Sequence, residues 1–272
     1  DDDDAPALTA TPVDPAPAAT AQGTGAAFAE ETNPRGPSTP SDLAENPAPE
    51  PGPDPEPPAP SPPEQPQTAS PFGSEPSLVV TVRRGEEVEL LDEPGGQVVA
   101  EQGDETEFGS PTTFWVRERA PGWLGVSTPE LPNGEIGWVR EDASLLSGGL
   151  VAHSVLVDLS TRTATLFYEG REMRSWPVTI GAPGAETPIG RFAITDTFEG
   201  GLNPAYGCCA LAISATQPDL PSGWLGGNRI AFHGTAGPLG VAASSGCVRS
   251  ADRDVRAMLR AAPLGTPVAI RQ

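Results

Sequence analysis

Large apolar residues are almost absent from the first 76 positions of this 272-residue chain, and beyond them they arrive in short β-type runs. Leu78-Val79-Val80-Thr81-Val82 comes first, followed by Arg-Arg-Gly and then Val88-Glu89-Leu90-Leu91. Further runs lie at Phe114–Arg117, Trp123–Val126 and Ile136–Val139. Pro94-Gly95-Gly96, Pro121-Gly122 and Asn133-Gly134 punctuate them as turns. Short strands with glycine turns at this spacing predict a small all-β barrel over residues 77–147. Trp115, Trp123 and Trp138 are candidates either for its core or for a ligand groove.

A second β-rich region begins at about residue 150 and runs to 272, long enough for a core of its own. Val155–Ser160 and Thr163–Tyr168 flank Thr161-Arg162 and predict a hairpin, with His153 at the start of its first strand as an edge or surface residue. Ser175–Ile180, Arg191–Ile194 and Arg229–Phe232 read as further strands, and Thr266–Ile270 as the last. One helix is predicted, Ala251 to about Ala261, with Ser250 as its cap. Asp252 and Asp254 lie near its positive end, and Arg256 and Arg260 near its negative end. Val255, Met258, Leu259 and Ala262 fall at i, i+3, i+4 and i+7 and predict one buried face.

The polar front of the chain changes this picture from two β regions to three segments. Residues 1–76 hold 20 of the 34 prolines and 14 acidic side chains against the single Arg35. Such a segment cannot bury enough surface to offset its ordering entropy, so a disordered, extended linker is expected. The formal net charge of -21 belongs to the first 147 residues, because residues 148–272 carry 9 acids and 10 arginines. An acidic chain argues against nucleic-acid binding, which depends on cations at phosphates. No apolar run approaches the length of a membrane helix. The opening Asp1–Asp4, with no initiator methionine, suggests an exported product whose signal or N-terminal membrane anchor has been removed.

Chemistry concentrates in Ile230–Ser250, IAFHGTAGPLGVAASSGCVRS, which holds one of two histidines and one of three cysteines. A thiol needs a neighbouring base to become a good nucleophile, and acyl transfer needs backbone N–H groups aimed at the developing oxyanion. Glycines beside both Cys247 and His233 let backbone approach a reacting centre, so the stretch is a candidate Cys/His acyl-transfer site. Two histidines and three cysteines without paired spacing argue against a metal site. Adjacent Cys208 and Cys209 are expected to be two reduced, largely buried thiols, since a bond between neighbours is strained.

Gly-Trp-Leu-x-Val and Gly-Trp-Val-Arg in residues 77–147 resemble bacterial SH3-like domains. Thr187-Pro188-Ile189-Gly190-Arg191-Phe192, His233-Gly234 and Ser244-Ser245-Gly246-Cys247-Val248-Arg249 resemble, in this order and spacing, the YkuD family of L,D-transpeptidases. The resemblance spans residues 150–272 and implies a β-sandwich-like catalytic domain, so the whole chain is expected to be mainly β. It implies that Cys247 is the nucleophile, that His233 takes its proton to leave a thiolate–imidazolium pair, and that the Gly234 carbonyl holds the imidazole tautomer. Ser245, Gly246 and Cys247 would supply the oxyanion hole, while Arg249, with Ser244 and Tyr206, would brace the loop or contact substrate. Many family members have His two residues before the cysteine, where this chain has Ser245. Tyr206 and Trp224 are candidates for substrate contact. The implied function is a 3→3 cross-link between peptidoglycan stem peptides, made outside the cytoplasmic membrane without metal or organic cofactor, with carbapenem-type inhibitors expected. The same residues also serve an L,D-carboxypeptidase, in which water replaces the acceptor. A wall-binding protein without catalysis is the reading of a different class.

Overall fold

The computed structural model describes residues 68–219 and 227–272 together with Thr11–Pro12, and the architecture is mainly β. The proposed Pro-rich linker lies almost wholly outside the described residues, as does Trp224. Eight strands make a first sheet: β1 (Thr11–Pro12), β2 (Ser77–Val82), β3 (Glu87–Leu91), β4 (Val98–Gly103), β5 (Thr113–Ala120), β6 (Trp123–Ser127), β7 (Gly137–Arg140) and β8 (Leu146–Val151). Their order is β1-β8-β2-β5-β6-β7-β3-β4. Val80, Leu90, Phe114, Leu124, Val126, Val139 and Leu146 form its core. Gly95, Gly122 and Gly134 sit at positive φ, which the turns between these strands require and which glycine adopts without steric cost. Trp115 is buried against Phe72, whereas Trp138 faces an open groove and Trp123 lies under the Arg140 guanidinium.

Only Ala152 separates β8 from β9 (His153–Asp158), so the chain passes from one sheet to the next with no linker. The second sheet continues with β10 (Thr163–Tyr168), β11 (Arg171–Pro177), β13 (Gly190–Phe198), β14 (Ala210–Thr216), β15 (Arg229–Gly234), β17 (Val248–Ser250) and β18 (Pro267–Arg271). The short β12 (Ile180–Gly181) and β16 (Ala242–Ser244) pair with each other. The sheet order is β11-β10-β9-β18-β13-β14-β15-β17. The predicted hairpin is present, with Thr163 opposite Asp158 and Arg162 in the left-handed region at the turn. β13 is shared between two partners: Gly190–Ala193 pair with β18, and Ile194–Phe198 with β14. That change of partner folds the sheet around a core that includes Phe192, Ile194, Leu211, Phe232, Val248 and Met258.

The helix α1 (Asp252–Ala261) buries Val255 and Met258 as its periodicity predicts, and Leu259 and Ala262 pack on the same core. The predicted cap is corrected. Ala251 occupies the cap position and makes no side-chain hydrogen bond. Ser250 is held inside β17, where its hydroxyl accepts a 3.0 Å bond from the buried Trp176 indole N–H.

Candidate active site

Strand register builds the site. β15 and β17 run parallel, with Phe232 opposite Val248 and His233 opposite Arg249. Alternate strand residues point to opposite faces, so Phe232 and Val248 enter the core while His233, Arg249 and the residue before Val248, Cys247, share the other face. Thr179 exchanges two 2.8 Å backbone hydrogen bonds with Arg249 and braces β17 from its free side. His233, Cys247 and Arg249 line one cavity of about 250 Å³ with Tyr206, Ser245 and Gln217.

His233 is buried, and its Nδ1 lies 2.8 Å from the Gly234 carbonyl oxygen. A carbonyl only accepts, so Nδ1 carries the proton and Nε2 keeps a lone pair able to act as a base. The Asp252 carboxylate occupies the space that a Cβ on Gly234 would need. The loop before the nucleophile is tied at three successive carbonyls. Gln217 Nε2 donates to Ser245 O at 3.4 Å, Thr187 Oγ1 to Gly246 O at 2.8 Å, and Ser244 Oγ to Cys247 O at 2.6 Å. Gly246 sits at φ +107 with the Gln217 amide and Ile230 against its Cα, so only glycine fits there.

Residues 152–270 match the family model of the YkuD L,D-transpeptidase catalytic domain. That segment is similar to YkuD-family L,D-transpeptidase catalytic domains. The chain is similar to the YkuD protein of Bacillus subtilis strain 168, at 27% identity over 124 residues, covering 45% of this chain and 68% of that protein. It is similar also to the YkuD protein of Bacillus licheniformis, at 29% identity over 141 residues, covering 49% of this chain and 78% of that one. Among solved structures, an L,D-transpeptidase in complex with imipenem is 16% identical, with 55% of this chain and 90% of that chain covered and a TM-score of 0.38.

Within the matched segment, burial pushes the Cys247 thiol pKa up, against a hydrogen bond from the Ala231 backbone and the Arg249 charge, which both favour the thiolate. Burial also lowers the His233 pKa; the Gly234 bond opposes this and the Arg249 charge adds to it. Both shifts work against charge on the thiol and the imidazole. Among the described residues no hydrogen bond joins Cys247 to His233, and both line the same cavity.

Tyr206, in a 3₁₀ turn at Pro204–Tyr206, places its ring 4.7 Å from the His233 ring, centroid to centroid. Ser245 lines the cavity, and the Gly246 N–H donates to Ser244 Oγ at 3.2 Å. The Arg249 Nε is buried and has no hydrogen-bond partner among the described residues. Cys208 and Cys209 are bonded to each other, which corrects the expectation of two reduced thiols. The pair lies between Gly207, at φ +63, and the start of β14 at Ala210, outside any strand. His153 is half-buried beside Tyr168 and stands apart from the cavity lining. Sequence reasoning missed Gln217 and gave Thr187 no individual role. A lone glutamine carries no signal, whereas Thr187 stands in a motif from which its partner Gly246 could have been sought.

Proposed function

We propose that the protein is a peptidoglycan L,D-transpeptidase that forms 3→3 cross-links through a Cys247 acyl-enzyme. The observation carrying this reading is one cavity lined by a thiol, an imidazole whose Nδ1 is committed to a backbone carbonyl, and a guanidinium with an unpartnered Nε. Cys247 Sγ attacks the carbonyl carbon of the third residue of a donor tetrapeptide stem as His233 Nε2 takes the thiol proton. The peptide C–N bond then breaks, His233 returns that proton to the departing D-Ala amine, and a thioester remains. An acceptor amine next attacks the thioester carbonyl and gives up a proton to His233. The C–S bond breaks, His233 returns that proton to Cys247 Sγ, and the new amide is the cross-link.

Because burial favours the neutral pair, proton transfer accompanies attack instead of preceding it. Backbone N–H groups of the Ser245–Cys247 loop meet the oxyanion, and Arg249 meets a substrate carboxylate or braces the loop. Peptidoglycan is cross-linked outside the cytoplasmic membrane, so the proposed place of action is the cell wall or periplasm.

Incubation with imipenem followed by intact-mass and peptide mapping should give one adduct, on Cys247, and none in Cys247→Ala. An unmodified parent protein would refute the acyl-enzyme. Muropeptide products with and without an added amine acceptor then separate cross-linking from hydrolysis by the same residues.

A further inference from the structure

The nucleophile loop is held from outside its own motif by Gln217, a buried glutamine at the mouth of the cavity. Its Nε2 donates to Glu186 O at 3.0 Å and to Ser245 O at 3.4 Å, and its Oε1 accepts from Asp219 N at 3.1 Å. The same amide packs against the Cα of Gly246. Gln217 follows β14 directly, and its own N–H donates to Asn228 O at 2.7 Å.

The residue before it, Thr216, is gripped by a side chain of the first sheet. Asn133 Nδ2 donates to Thr216 O at 2.6 Å, and Thr216 N donates to Asn133 Oδ1 at 2.8 Å. A two-bond amide clamp on backbone fixes the direction in which the next residue leaves the strand. Asn133 belongs to the Asn133-Gly134 turn before β7, with Gly134 at φ +94.

We propose that Gln217 is a positioning residue for acyl transfer, orienting the Ser245–Cys247 peptide planes, and that Asn133 of the first sheet acts through it. A trans peptide sets C=O and N–H antiparallel, so holding the Ser245 carbonyl fixes the Gly246 N–H, which donates to Ser244 Oγ at 3.2 Å, and holding Gly246 O at Thr187 aims the Cys247 N–H. The first sheet thereby contributes to the geometry of a site it does not line. The inference rests on the acyl-enzyme reading and adds to it the origin of the oxyanion-hole geometry.

The test uses the full chain and imipenem, with the acylation rate constant separated from non-covalent affinity by varying inhibitor concentration. Gln217→Met keeps the volume and removes the hydrogen bonds. The rate constant should fall about tenfold to a hundredfold with affinity nearly unchanged. Gln217→Glu supplies an O–H donor only while its carboxyl is protonated, so its rate relative to the parent should recover as pH falls. A relative rate that stays flat across pH would count against the hydrogen bonds. Asn133→Ala should slow acylation less than Gln217→Met, and the double variant should be no slower than Gln217→Met alone. Amide hydrogen exchange across residues 244–248 should quicken in each variant. Unchanged rates and unchanged exchange would overturn the proposal. If Gln217→Met fails to fold, the pH trend of Gln217→Glu decides. If the parent forms no imipenem adduct, the proposed function fails, and the exchange comparison still decides whether Gln217 orders the loop.

Discussion

At the scale of single residues, the candidate site holds an imidazole and a thiol whose burial works against charge on both. The proposed acyl transfer needs one proton shared by the pair. It fails when His233 takes a second proton in acid, or when His233 has none to give in alkali. With the His233 pKa lowered and the Cys247 pKa raised, the acid limb of an acylation–pH profile should lie below the usual imidazole range and the alkaline limb above the usual thiol range. Arg249 opposes protonation of His233 and favours the thiolate. Arg249→Ala should therefore move both limbs to higher pH. Stopped-flow acylation by a carbapenem across pH measures this, and an acid limb that stays put would contradict the assigned electrostatics. Cys247 and His233 were legible as candidates because their chemistry and glycine neighbours stand out in the chain, and Gly234 through the family resemblance. Gln217 was not, since what distinguishes it is the pair of carbonyls it meets after folding.

At the scale of elements, alternation and helical period located most strands and the helix, and failed where burial was incomplete. β4 is an edge strand with Val98 and Val99 exposed, so no buried face marks it in the chain. β8, Leu-Ser-Gly-Gly-Leu-Val, has the composition of a connection and becomes a strand by pairing with β2 along its whole length. Ser250 had the right residue type and position for a cap, yet parallel pairing with Gly234 keeps it in β17. Ser250→Ala should accordingly destabilise through the orphaned Trp176 N–H, by about 1–2 kcal/mol. Ser250→Thr, which preserves the hydroxyl, should recover part of that loss if the extra methyl is accommodated. Chemical denaturation with Trp fluorescence reads both. An alanine variant as stable as the parent would remove that hydrogen bond from the account.

At the scale of the whole molecule, the two eight-stranded sheets share buried polar contacts as well as a continuous chain. Ser127 and Ser214 hydroxyls meet at 2.9 Å, Asn133 clamps Thr216, and Thr106 bonds the fully buried Asp196, whose other oxygen lies 3.5 Å from Arg229. Gly265, at φ +80 before β18, passes so close to Val79 that an added Cβ would come within 2.6 Å of it. Such contacts couple the stabilities of the parts they join. Calorimetry of the full chain should show one cooperative transition for the folded residues, and two separable transitions would show the sheets to be independent. From the sequence alone came the β class, the helix and its buried face, and the thiol–imidazole pair, because period and reactive side chains are local properties. Only the tertiary structure decided what Ser250, Cys208, Thr187 and Gln217 do. Each answers to a partner whose position depends on register and on how the sheets meet, which no local pattern records.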